Sequence, residues 1–306
     1  MSPARPPSGR QLELRAGEGA QESVASVVEV GGGLRSFEVG GRPVLDGYAA
    51  DEMCTAGRGQ LLLPWPNRLA EGRYAFGGQD FQLPITDGGT GSAIHGLARW
   101  QRWELATPAP DTCVATLELP PQPGWPFLLD LSTTYTVAPG RLQVTIEATN
   151  VGGEPCPFGA GQHPYLAVPV DTTGLRLPVA TRLELSEGMP TGRTEPAERE
   201  LSPIGQRRLD DCYTDLDADW SVQVAPPGGP TLELSGDPVW RYLQVFSGDT
   251  VPQPERRRQG LAVEPMTCPP NAFVTGEGLI VLQPGESFRG SWVLQVMEGI
   301  GNGTAR

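Results

Sequence analysis

The stretch FLLDLSTTYTVAPGRLQVTIEATN, residues 127 to 150, decides the fold class. Apolar and polar residues alternate through FLLDLSTTYTV (127–137) and again through RLQVTIEATN (141–150), the period of a strand with one buried face. Between them, Ala138-Pro139-Gly140 carries turn chemistry: proline presets its own backbone angle and glycine accepts the left-handed region. Two such runs joined by such a turn make an antiparallel hairpin. The pattern continues outward in both directions. SVASVVEV (23–30), LRSFEV (34–39), RYAFGGQDFQL (73–83, with Gly77-Gly78 at a hairpin turn), WQRWEL (100–105) and CVATLEL (113–119) precede it. TRLELS (181–186), WSVQVA (220–225), TLELSG (231–236), VWRYLQVFS (239–247), LIVLQ (279–283) and FRGSWVLQVM (288–297) follow. These runs are rich in β-branched and aromatic residues and bounded by Gly, Pro or Asp. No stretch of a dozen residues keeps helical periodicity free of glycine or proline. The expectation is an all-β protein, a large antiparallel β-sandwich.

The chain has 306 residues, enough to bury a substantial core, and an all-β chain of this length is expected to form a single domain over 1–306. Its 40 glycines and 32 prolines fall between the apolar segments and read as turns. A net charge of −13 argues against nucleic acid and anionic membrane surfaces as partners. A neutral or cationic small molecule fits better. All 23 basic residues are arginine, so any chemistry that needs a catalytic lysine is excluded by inventory. Five cysteines, Cys54, Cys113, Cys156, Cys212 and Cys268, form no CxxC pair and no even framework. With no signal-peptide h-region in MSPARPPSGR and no bilayer-length apolar run, a cytoplasmic location is expected. Residues 1–9 and 301–306 read as disordered ends, and PQPERRRQ (252–259) as a solvated loop whose arginine triplet is a surface feature.

GxSxG, Walker and HxxxH patterns are absent, and GAGQHP lacks the third glycine and the strand-to-helix context of a dinucleotide fingerprint. What remains are polar residues in turn-rich settings. These are Asn67-Arg68 in LLLPWPNRLAEGRY, His95 in SAIHGLARW, His163 in GAGQHPYLAV, Asp210-Asp211 in RLDDCYTDL and Glu264 in GLAVEPMTCPPNAF. Glu264 follows the apolar run Leu261-Ala262-Val263 and precedes Pro265, so it ends a buried strand, where a carboxylate is costly unless paired or used. Singly, each has an ordinary reading: a structural imidazole, a surface ion pair for Arg68, turn caps for the aspartates. Cys268 reads as a small buried hydrophobe rather than a nucleophile.

Taken in order, N-R-L-x-x-G-x-Y-x-F (67–76), I-H-G (94–96), H-P-Y (163–165) and V-E-P-M-T (263–267) resemble the signatures of the aldose 1-epimerase family, the galactose-mutarotase-like proteins. The resemblance spans about residues 61–298 and uses both histidines of the chain. It implies a large antiparallel β-supersandwich with a sugar cleft across one sheet, and interconversion of the α and β anomers of a free aldohexose. Glu264 would be the base toward the anomeric hydroxyl and His163 the acid toward the ring oxygen. His95, Arg68 and Asn67 would hold sugar oxygens, and Asp210 a hydroxyl. The family has Asp-His where this chain has Asp210-Asp211, which leaves open which aspartate serves. One base and one acid suffice for ring opening, so no cofactor and no metal are expected. Trp65, Trp100, Tyr165 and Phe273 are candidates to stack on the sugar.

Three other readings stand beside this one. A hexose-6-phosphate 1-epimerase needs an arginine cluster, for which Arg73 and Arg99 are candidates. A sugar-binding protein without activity would retain only the fold. A glycosidase would use Asp210 and Glu264 as paired carboxylates. The expected partner is a monosaccharide, and the chain a monomer or homodimer.

Overall fold

The computed structural model describes residues 5–297. Residues 1–4 and 298–306, with the expected disordered C-terminal end, lie outside the described residues. The hairpin at 127–150 is formed by strands Leu129–Ala138 and Arg141–Asn150, whose register runs from Ala138 opposite Arg141 to Leu129 opposite Asn150. Gly140 at its turn has φ +68°, the left-handed value that makes glycine the suitable residue. Leu131, Thr133, Tyr135 and Val137 are buried, and the residues between them are more exposed, as the alternation predicts.

This hairpin lies inside a nine-stranded antiparallel sheet. The long strand Ser287–Met297 pairs with Arg141–Asn150 on one side and Thr231–Gly236 on the other. A second large sheet runs Met189–Pro196, Val179–Ser186, Asp210–Leu216, Tyr242–Phe246, Leu261–Met266, Gly161–Gln162 and Leu61–Leu62, with Tyr165–Leu166 also paired to Leu261–Met266. A four-stranded sheet from Gln11–Ala16 to Arg42–Pro43 completes the frame. Val144, Trp292 and Leu294 of the first sheet share one core with Leu243, Val245, Leu261 and Val263 of the second. Across that core, Trp292 Nε1 donates to Gln162 Oε1 at 3.1 Å, tying the two sheets together. Among the described residues the only α-helix is Ala272–Thr275.

Alternation along Leu261–Met266 then fixes the site. Leu261 and Val263 face the core, so Ala262, Glu264 and Met266 face the opposite side of the sheet. There they meet two small apolar clusters, Tyr165, Val251 and Ala262 on one side and Leu183, Cys212, Tyr242 and Met266 on the other. Glu264 lies between them.

Two expectations are corrected. Ser8 and Gly9, expected within a disordered end, are buried: Val30 N–H donates to the Ser8 carbonyl at 2.9 Å, and Ser8 Oγ donates to the Tyr48 hydroxyl at 3.4 Å. The segment 252–259 is largely exposed, as a solvated loop is, but two arginines of its triplet are not free surface features. Its arginines find remote carboxylates that a charge pattern does not reveal: Arg256 bonds Asp46 and the Gly47 carbonyl, and Arg258 bonds Asp171 and Asp249. Asp46 in turn accepts from Nε of Arg58 at 3.1 Å, and the Arg58 side chain is 1% exposed. Removing the carboxylate leaves that guanidinium buried without its counter-ion. Asp46→Ala should therefore cost about 3 kcal/mol in chemical denaturation, within the range for breaking a buried pair from one side. All five cysteines are free and buried, so strong reductant should leave the melting temperature unchanged.

Candidate active site

The second sheet brings its polar residues together by register. Gly161 pairs with Met266 and Tyr165 with Ala262, so the same register carried through the intervening residues sets His163 opposite Glu264. On the far side of Glu264, Gln244 is its direct partner, and one row along, Phe246 pairs with Asp210. Residues directly opposite in an antiparallel pair point to the same face. His163, Glu264 and Gln244 thus form one row, and Tyr165, Phe246 and Asp210 belong to the next.

His163 Nε2 lies 3.2 Å from Glu264 Oε1, and both side chains are almost fully buried. Among the described residues, His163 Nδ1 and Glu264 Oε2 have no hydrogen-bond partner. The imidazole is held on its faces and edge. Tyr165 stacks on it at 4.8 Å with 8° between the planes, and His95 meets it edge-on at 5.4 Å. Gly57 packs against it so closely that a β-carbon there would stand 2.8 Å from Cδ2. Tyr165 is fixed in its turn by its hydroxyl, which donates to the Ala56 carbonyl, and by the Arg58 guanidinium 4.8 Å from its ring centre.

Opposite this row, Asn67, Arg68 and His95 come from the paired short strands Arg68–Ala70 and Ser92–Ile94 and the turns beside them. Asn67 and His95 both have left-handed backbones, φ +55° and +63°. They lock each other: His95 N–H donates to the Asn67 carbonyl at 2.9 Å, and Asn67 N–H donates to His95 Nδ1 at 3.2 Å. An Nδ1 that accepts carries no proton, so the neutral ring has its hydrogen on Nε2. Burial holds His95 well below the usual histidine range, helped by the neighbouring His163 imidazole, which cannot share a positive charge with it, and by the charges of Arg99 and Arg68. The ring is a neutral donor of fixed tautomer. Asn67 Oδ1 is committed to the Arg68 N–H at 2.8 Å, and Arg68 Nε to Asp87 at 3.0 Å.

All six residues expected at the site, Glu264, His163, His95, Arg68, Asp210 and Asn67, line one cleft of about 460 Å³. Asp210 lines it and Asp211 does not: successive residues of a strand alternate faces, and Asp211 is paired with Arg182 at 3.2 Å. Of the four candidate aromatics, Trp100 and Tyr165 line the cleft, whereas Trp65 and Phe273 pack against each other in the core. Arg73 is also away from it, on the exposed hairpin beside Glu71 and Gln82. Cys268 is buried and its thiol is pushed up to about 12, an inert state.

Gln244 and Asp87 also line the cleft, without standing out in the sequence. Gln244 is buried, donates to Asp210 Oδ1 at 2.7 Å and leaves its own Oε1 unpartnered among the described residues. A glutamine inside the apolar run VWRYLQVFS was the available signal, but only the register shows that it faces Glu264.

Burial pushes the Glu264 carboxyl well above its usual range, and the nearby Asp210 adds to the rise while Arg68 opposes it. Burial pushes His163 the other way, below the usual imidazole range. The buried contact thus favours the arrangement without charges. A carboxyl whose folded value is raised gives stability that is present below its unfolded value and is lost as pH rises toward the folded one. Glu264→Gln removes that loss. It should raise the melting temperature at pH 7, and the gain should shrink as pH falls into the ordinary carboxylate range.

Residues 11–295 match the family model described as aldose 1-epimerase. The Escherichia coli (strain K12) protein YihR is 34% identical over 293 residues, covering 92% of both chains, and YphB of the same organism is 24% identical over 285 residues, covering 88% of this chain and 94% of its own. Among solved structures, the GalM/aldose epimerase homologue from C. elegans superposes with a TM-score of 0.79 at 16% identity, over 94% of this chain and all of the other. Galactose 1-epimerase from Lactobacillus acidophilus NCFM gives 0.74 at 16% identity, over 95% and 99%. At such identities the two structures establish the fold, the large antiparallel sandwich expected from the sequence.

Proposed function

Because the chain belongs to the aldose 1-epimerase family, we propose that it interconverts the α and β anomers of a free aldohexose, with Glu264 and His163 as the proton-transfer pair. The observation that carries this reading is the 3.2 Å contact between His163 Nε2 and Glu264 Oε1 in a cleft lined by donors of fixed orientation. In the forward direction the Glu264 carboxylate takes the proton of the anomeric hydroxyl and the C1–O5 bond breaks. Protonated His163 gives its proton to O5, leaving the open-chain aldehyde. Rotation about C1–C2 presents the other face, and reclosure returns both protons along the same paths.

Opening needs Glu264 charged and His163 protonated; reclosing needs both neutral. The two states differ by one proton moved across their contact, and burial favours the neutral one. Arg68, whose charge acts on Glu264, and the Nε2–H of His95 supply the polar surroundings that make the charged state reachable. Trp100, exposed at the rim with Arg99 over one part of its ring, is an aromatic surface that can stack on the sugar, since Tyr165 is occupied by His163. The five unpaired thiols accord with a reducing, cytoplasmic setting.

Polarimetry of freshly dissolved pure anomers of glucose and galactose should show mutarotation accelerated by the protein. His163→Asn and Glu264→Gln should each lower kcat by at least about 100-fold while remaining folded. The double variant should be little worse than the poorer single one, since groups that act as a unit do not add. His95→Asn should raise KM as well as lower kcat. Glucose 6-phosphate should be converted more slowly than glucose, because Arg73 is away from the cleft and, of the two arginines that line it among the described residues, Arg68 is bonded to Asp87 and Arg99 alone is left to meet a dianion. A folded Glu264→Gln variant with wild-type turnover would move the protein to the sugar-binding reading.

A further inference from the structure

The cleft holds one cation that neither the family signatures nor the reaction accounts for. Arg99 lines it, partly buried, on the turn Ala98–Trp100 that follows His95. Its backbone carbonyl accepts from Gln60 Nε2, but among the described residues its guanidinium makes no ion pair and no hydrogen bond. It lies over the exposed ring of Trp100, 5.6 Å from the ring centre. The other arginine lining the cleft, Arg68, is bonded to Asp87. Asp87 also faces Arg99 electrostatically, but it already accepts from Arg68, Thr90 and the Gly89 N–H. A half-buried guanidinium with five donors and no counter-ion is an unmet demand for an anion.

Its place along the cleft says where that anion sits. Arg99 stands four residues beyond His95 on the turn Ala98–Trp100, and its carbonyl accepts from Nε2 of Gln60, whose own carbonyl accepts from the His163 N–H at 3.1 Å. Arg99 is therefore tied to the histidine side of the cleft. In an aldopyranose, O5 is flanked by C1 on one side and by C5, which bears C6, on the other. With O1 at Glu264 and O5 at His163, the group that extends beyond His163 is the C6 substituent.

We propose that Arg99 is a specificity-determining residue that receives a single negative charge on C6, so that the preferred substrates include monoanionic sugars of the hexuronate class. One planar fork matches one carboxylate in bidentate fashion. A phosphate dianion would need further arginines, and no other unpaired arginine lines the cleft among the described residues. The inference rests on the mutarotase reading for the placement of O1 and O5.

The test compares glucuronate with glucose by polarimetry and by calorimetric binding, in the wild type and in Arg99→Gln and Arg99→Lys. In the wild type, kcat/KM for glucuronate should at least equal that for glucose and should fall more steeply with added salt. Arg99→Gln should lower the glucuronate-to-glucose ratio of kcat/KM by at least about 10-fold, mainly through KM, and Arg99→Lys should restore part of it. An unchanged ratio in a folded Arg99→Gln variant overturns the proposal, as does a larger Arg99-dependent preference for glucose 6-phosphate than for glucuronate. Failure of the two readings is separable. A protein that binds glucuronate through Arg99 but converts no sugar retires the mutarotase and keeps the anion site. A protein that converts glucose and is indifferent to Arg99 does the reverse.

Discussion

The site depends on one contact, a carboxyl and an imidazole removed from water and set against each other by strand register. Glu264 could not be buried alone at acceptable cost, since an isolated ionised carboxylate in an apolar interior either loses its charge or destabilises the fold. His163 meets the same penalty with the opposite sign. Placed 3.2 Å apart, they can share a proton so that neither must carry an uncompensated charge. In the proposed mechanism the arrangement that makes the pair tolerable is also what makes it useful, because the same proton shift would distinguish the ring-opening state from the ring-closing one.

Much of the surrounding structure serves to hold that contact. The core-facing residues Leu261 and Val263 pin the strand and so force Glu264 to the other face. Tyr165 and Gly57 fix the plane of the imidazole, and Arg58 braces Tyr165 from behind while bonded to Asp46. Asp46 is shared with Arg256, so the segment 252–259 is fastened to the same support. Pro252 of that segment lines the cleft. A chain of contacts thus runs from a surface loop to the His163 ring, and a change at Asp46 reaches His163 through two packed side chains.

Local pattern carried the fold and remote pairing carried the site, which explains what was legible in the sequence. The hairpins at 73–83 and 127–150 were readable because alternation and turn residues are written within a few positions of each other. Glu264 stood out by itself, a carboxylate closing an apolar run. That His163 faces it depends on a register set by Gly161 with Met266 and Tyr165 with Ala262, and nothing local encodes that pairing. Asp210 and Asp211 could not be told apart until the strand phase was known. Arginines 256 and 258 looked solvated because Asp46, Asp171 and Asp249 are distant in sequence or lie across a turn. Arg99 drew notice only as a phosphate candidate; that it has no counter-ion among the described residues is visible only in three dimensions.

The most direct measurement of the central claim is an NMR titration of the two side chains, with the Glu264 carboxyl carbon and the His163 ring nitrogens observed together. The account predicts that Glu264 titrates well above the ordinary carboxylate range and that His163 stays neutral from pH 5 to 8 in the sugar-free protein. Both shifts should collapse in the partner's absence only as far as burial alone allows, so His163→Asn should leave Glu264 still raised. A Glu264 that ionises at the value of an exposed glutamate, or a His163 that is cationic at neutral pH, would contradict it.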